Sequence, residues 1–92
     1  MSRTDRIKIL LEKEFFPIFL NIQNDSDKHK GHAGYGADGE SHFTITLYSK
    51  KFLGLNRVAR QRLVYDLLKT EFEQGLHAVS LKLGTEEEFK QN

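Results

Sequence analysis

Cysteine is absent from all 92 residues. Disulfides are therefore excluded, and any metal site must use histidine, carboxylates or thiolates supplied by another molecule. A chain with no disulfides and no leader fits a reducing interior compartment. A cytoplasmic location is expected, with a mitochondrial or other organellar one left open. Long apolar runs are also missing. Behind Met1-Ser2-Arg3-Thr4-Asp5-Arg6, Leu10 and Leu11 give way at once to Glu12, Lys13 and Glu14, which fits neither a signal peptide nor a membrane span.

Charge of one sign is lacking too. Fourteen Lys and Arg against 13 Asp and Glu leave a net +1, so no overall field draws nucleic acid and such a role must rest on a local basic patch. Catalytic groupings are not found either. No cysteine nucleophile exists, and no Ser–His–acid arrangement is suggested by the pattern. Gly34-Tyr35-Gly36 is too short for a phosphate loop that follows a strand and opens a helix. Glu86, Glu87 and Glu88 read as the start of a helix stabilised by its dipole. The chain is expected not to be an enzyme.

What is present is one domain, residues 1–92, without repeat or linker. A chain this short buries about 60–65% of the surface its unfolded form exposes, enough for one core but not for a deep substrate cavity as well. Thr4 is expected to cap a helix with Ile7, Leu10, Leu11 and Phe15 on one face, and Pro17 stops it. Residues 18–24 read as a strand with Ile18, Leu20 and Ile22 on one side. Residues 25–40 form a long Gly-, Asp- and Lys-rich connection, of a length usually functional or disordered. Residues 41–49 alternate strictly, Phe43, Ile45 and Leu47 against His42, Thr44, Thr46 and Tyr48, which predicts a strand with one buried face.

A turn at Phe52-Leu53-Gly54 leads to a helix expected over 56–74. Its apolar face is Val58, Leu63, Val64, Tyr65, Leu67, Leu68 and Phe72, and Gly75 closes it. Residues 76–83 read as a third strand, with His77, Val79, Leu81 and Leu83 on one face. Thr85 and Glu88 form a capping box ahead of a short last helix. The strand–helix–strand step favours a right-handed crossover and a parallel third strand. The expected fold is α+β: a two-layer sandwich in αββαβ(α) order with a three-stranded mixed sheet.

Several runs carry a family likeness. Ser26-Asp27-Lys28-His29, Gly31-His32-Ala33-Gly34 and Glu40-Ser41-His42-Phe43 resemble the loop and second strand of the BolA family. Ser49-Lys50-Lys51-Phe52-Leu53-Gly54 continues the likeness, as do Arg60-Gln61-Arg62-Leu63-Val64-Tyr65 and Gly75-Leu76-His77-Ala78-Val79-Ser80-Leu81. The resemblance implies a fold like class II KH domains. It also implies partnership with a monothiol glutaredoxin and a shared [2Fe–2S] cluster, held by glutaredoxin cysteine, glutathione and histidine from this chain. The alternative it carries is a DNA-binding transcriptional regulator of stress response and cell morphology. Two departures stand out. Gln61 replaces the usual histidine between the two arginines, and the Gly-x-x-Gly clamp of true KH domains is missing, only Gly54 standing there.

Four histidines are then candidates. On spacing alone, His77 is either a half-buried structural residue or a ligand at the sheet's edge; the resemblance makes it a ligand. Imidazole in place of thiolate would raise the cluster's potential, as in Rieske centres. His29 and His32 are either solvated loop residues or ligands that Gly31 and Gly34 let reach a shared metal. The resemblance makes one of them a ligand, with His29 ranked ahead. His42, facing away from Phe43, reads as structural. Arg57, Arg60, Arg62, Lys50 and Lys51 gather at the helix start as a charged face, as phosphate contacts, or as contacts to glutathione and acidic partner residues. Exposed edge strands permit a monomer or weak homodimer.

Overall fold

The computed structural model describes residues 1–26 and 40–91. His29 and His32, with most of the expected long connection, lie outside the described residues.

Helix α1 spans Arg3–Phe15 and buries Ile7, Leu11 and Phe15 at four-residue steps. Its cap is Ser2 rather than the expected Thr4. The Ser2 hydroxyl accepts from the Asp5 N–H at 3.1 Å, and the Ser2 N–H donates to the Asp5 carboxylate at 3.3 Å. Such reciprocal capping needs an acid or amide three positions on; Ser2 has Asp5 there, whereas Thr4 has Ile7. Thr4 donates instead to Glu40 Oε1, through its hydroxyl at 3.0 Å and its N–H at 3.1 Å. The helix ends at Phe16, whose backbone turns left-handed (φ 46°, ψ 59°), since the residue before Pro17 cannot continue the helix.

Strands β1 (Phe19–Asn24), β2 (His42–Tyr48) and β3 (Ala78–Gly84) form one sheet in the order β1-β2-β3. β1 and β2 run antiparallel, and β2 and β3 parallel, as the crossover predicts. β2 is central and therefore carries the deepest apolar side chains: Phe43, Ile45 and Leu47 are almost wholly buried. The register sets Leu20 and Ile22 beside Leu47 and Ile45, and Val79, Leu81 and Leu83 beside Phe43, Ile45 and Leu47. These rows form the face on which the helices pack.

The single helix expected over 56–74 is broken in two, α2 (Arg57–Leu67) and α3 (Lys69–Glu73). At Leu68 the backbone flattens to φ −91°, ψ 6°. Its N–H is shared between the Val64 and Tyr65 carbonyls, each at 3.1 Å, which tightens the turn toward 3₁₀ geometry. Asn56 caps α2 by accepting from the Ala59 N–H at 2.8 Å. The buried stripe is Val64, Leu68 and Glu71. Val58 and Leu63 are exposed rather than buried, because each lies roughly 100° or more from Val64 around the helix.

Helix α4 (Glu86–Lys90) starts with the expected capping box of Thr85 and Glu88. It covers one end of the sheet's other face, where the Phe89 ring lies 5.5 Å from that of Phe19 and 5.1 Å from that of Tyr48. Tyr48 pairs in register with Gly84. A Cβ at Gly84 would sit 2.6 Å from Tyr48 Cε1, so only glycine admits the ring. No helix among the described residues is long and apolar enough to cross a membrane.

The helical layer also encloses charge. Arg3 Nε meets Glu71 Oε1 at 3.0 Å with both side chains nearly buried. Arg6 adds Nε to Oε2 at 2.8 Å and Nη2 to Oε1 at 3.0 Å. The hydrogen bonds from Arg6, and then from Arg3, hold the Glu71 carboxyl below its usual range against the desolvation that raises it.

Two outcomes are expected. Gly84→Ala overpacks the sheet against Tyr48 and should cost about 1–3 kcal/mol in urea unfolding; an unchanged midpoint would show that Tyr48 moves aside freely. Because the folded-state pKa of Glu71 is depressed, the stability it contributes is complete above its unfolded pKa of about 4.3 and fades as pH falls through the folded value. Glu71→Gln should thus lower stability at pH 7 by about 3 kcal/mol or more, with the gap to the parent narrowing in acid. An equal gap at pH 7 and pH 3 would contradict the pairing.

Candidate functional site: a histidine edge

Parallel strands that are neighbours begin at the same edge of a sheet. Here that edge brings together His42, the first residue of β2, and His77, which immediately precedes β3. Their rings lie 5.1 Å apart between centroids, tilted by 46°. His42 is buried, with Nδ1 2.8 Å from the Ser41 hydroxyl oxygen. His77 is exposed, and its imidazole makes no hydrogen bond among the described residues.

The backbone around the pair is laced together. Ser26 Oγ accepts from the N–H groups of Ser41 at 2.9 Å and His42 at 3.2 Å. The Ser41 carbonyl accepts from both the His77 N–H at 2.8 Å and the Ala78 N–H at 3.0 Å. Two successive N–H groups on one carbonyl mean that the chain at His77 has not yet entered the alternation of the strand. This corrects one expectation. His77 does not share the face of Val79, Leu81 and Leu83; its ring lies against His42, on the register row of Ala78 that faces away from the helices. Ser26 and Ser41 also bracket residues 27–39, so the pair sits at the root of the segment that carries His29 and His32.

The donors gathered here are nitrogens of imidazole. Among the described residues, no group of three His, Cys, Asp or Glu side chains could hold a metal ion by itself. A metal on this edge would need donors from elsewhere, and any thiolate donor would have to come from another molecule.

The expected basic cluster is partly spent within the fold. Arg60 donates from Nη1 to Glu88 Oε1 at 2.9 Å and from Nε to the Leu55 carbonyl at 2.9 Å. The Thr85 N–H, and then Arg60, keep the Glu88 carboxyl below its usual range. Lys50 Nζ is 4.0 Å from Glu86 Oε2, and Lys51 Nζ lies 5.4 Å above the Phe16 ring. Arg57 and Arg62 are exposed and enter no ion pair among the described residues. A groove of about 430 Å³ runs between the start of α2, β3 and α4, with Arg57, Arg60, Lys82 and Glu88 in its walls.

By its alternation His42 reads as structural, yet it stands ring to ring with His77. A usable signal was present. Once β2 and β3 are read as parallel, the residues that open them must share an edge. Nothing in the pattern announced Arg60 as a partner of Glu88, because that contact joins α2 to α4 across β3.

A family model described as BolA-like protein matches residues 11–88. "Protein BOLA1, chloroplastic" of Arabidopsis thaliana is 45% identical over 82 residues, covering 87% of this chain and 51% of that protein. The chain spans only 23% of a second plant relative. "DNA-binding transcriptional regulator BolA" of Haemophilus influenzae is 38% identical over 90 residues, covering 98% of this chain and 84% of that one. The solved structure of BolA1 from Arabidopsis thaliana superimposes with a TM-score of 0.87 at 43% identity, covering 96% of each chain.

Proposed function

From the membership of this chain in the BolA-like family, we propose that it is a non-enzymatic adaptor that binds a monothiol glutaredoxin and shares a [2Fe–2S] cluster with it through histidine. Its setting would be iron–sulfur cluster trafficking or iron homeostasis. The observation that carries this reading is the exposed His77 ring lying against that of His42, at the root of the segment bearing His29 and His32.

The donor set fits the group. A chain with imidazole but no cysteine offers nitrogen ligands and leaves the thiolates to the glutaredoxin and its glutathione. When bound, the cluster would supply one-electron chemistry or be handed on. What this chain's residues do is narrower. His77 offers a nitrogen at the sheet's edge, and among the described residues no hydrogen bond to its imidazole would have to be displaced by a partner. The Ser41 hydroxyl at His42 Nδ1 fixes the tilt of the buried ring beside it. Second-sphere hydrogen bonds of this kind orient a ligand and tune its basicity. His29 and His32 remain the candidates for the second ligand from this chain.

A second reading is favoured by the name of the Haemophilus influenzae relative and by the exposed Arg57 and Arg62 at the start of α2. In it, these cations contact DNA phosphates, and Arg60, committed to Glu88, contributes less than its position suggests.

The readings separate experimentally. Mixing the chain with holo-glutaredoxin should shift the visible absorption of the cluster, and His77→Ala should abolish or alter that shift. If the spectrum and the complex are the same with and without the imidazole, His77 is no ligand. For the DNA reading, the Arg57→Gln, Arg62→Gln double variant should reduce the slope of log K against log salt by about two. Absence of duplex retardation by the parent chain at low salt would dispose of it.

A further inference from the structure

The histidine edge is assembled from two segments far apart in sequence, and a single side chain grips both. Arg3 Nη1 donates to the Glu40 carbonyl at 2.5 Å, two residues before His42. Arg3 Nη2 donates to the Gln74 carbonyl at 2.7 Å, three residues before His77. The third donor, Nε, is held by Glu71 at 3.0 Å. The guanidinium thus reaches in three directions: to α3, to the approach to β2, and to the approach to β3.

Two further details fit a built clamp. Glu40 returns the contact, its carboxylate accepting from the Arg3 N–H at 3.2 Å and from Thr4. Gly75, next to Gln74, has φ 118°, and a Cβ there would stand 3.2 Å from Arg3 Nη2. The backbone before His77 therefore passes the guanidinium where a side chain would crowd it.

We propose that Arg3 is the positioning residue of the histidine pair: by tying the Glu40 and Gln74 carbonyls to one buried cation, it sets the distance between the His42 and His77 rings. The planar fork is what makes this possible, since it presents donors in fixed, divergent directions. A lysine can keep the charge beside Glu71 but cannot reach both carbonyls from one ammonium in the same geometry. Arg6 shares Glu71 through Nε and Nη2, while its Nη1 donates to the Met1 carbonyl at 3.1 Å, and so provides the control. This inference rests on the proposed cluster-sharing role only for its functional consequence, because the ring-to-ring geometry exists without any metal.

The test compares the full chain with Arg3→Lys and Arg6→Lys, with labelled imidazoles and no partner present. The parent and Arg6→Lys should show a cross-relaxation signal between the His42 and His77 rings, and Arg3→Lys should lose it while keeping the parent's circular dichroism. A folded Arg3→Lys that retains the signal overturns the proposal. So does equal loss in both variants, which would make the effect one of general loosening around Glu71.

Should Arg3→Lys fail to fold, native-state hydrogen exchange on the parent decides. The Thr4, Leu76 and His77 amides should then open together with one free energy, and separate openings would overturn the clamp. Absorption with holo-glutaredoxin is recorded alongside. Ring contact that depends on Arg3, with no spectral change on mixing, leaves the clamp standing and removes the cluster reading. An Arg3-independent contact with a His77-dependent spectrum does the reverse.

Discussion

A carboxylate taken out of water must be paired, and Glu71 satisfies that condition with two guanidinium groups from the first two turns of α1. Much of the architecture is arranged around this demand. The stripe that α2 and α3 turn toward the core is Val64, Leu68 and then an acid rather than another aliphatic. A buried ion pair of this kind is poor evidence for net stability, since an apolar replacement of similar volume often does as well. Its value lies in direction. Aliphatic side chains would let α1 slide along α2 and α3, whereas three hydrogen bonds to one carboxylate admit a single seating.

The layers, the strand order and the parallel crossover were legible because they follow from periodicity, which reports burial directly. Residues 43–47 alternate between buried and half-buried, and the strand falls within one residue of the expected bounds at each end. Capping boxes were legible where the partner stood three positions on and no second polar residue competed, as at Thr85; at Ser2 the polar neighbour Thr4 masked the true cap. The kink at Leu68 was not legible, because neither glycine nor proline marks it. It arises from a shared hydrogen bond and from where Glu71 must point. The site was half legible. His77 stands out as a histidine at a strand's mouth, but the alternation that predicts its facing does not yet hold one residue outside the strand. The partners of Arg3, Arg6 and Arg60 depend on contacts across elements, which no local pattern encodes.

The two candidate surfaces differ in what the fold leaves available. At the start of α2, charge is drawn inward: Arg60 braces α4 and Lys50 leans toward Glu86. At the histidine edge the reverse holds, since the inner imidazole is fixed by Ser41 while the outer one faces solvent. A rigid inner ring beside an outward one suits a ligand presented to another molecule. The aromatic group of Phe19, Tyr48 and Phe89 closes the opposite end of the same sheet face, so a partner approaching that face meets polar strand residues and the histidines.

The parallel pairing of β2 with β3 has a consequence for synthesis on the ribosome. The hairpin of β1 and β2 closes early from neighbouring sequence, but β3 can join only after α2 and α3 have been made and folded across the sheet. Pairings that wait on long loop closure are slow to form. The growing chain therefore carries His42 without its companion ring until β3 has left the exit tunnel, and the pair of imidazoles exists only once the crossover is complete.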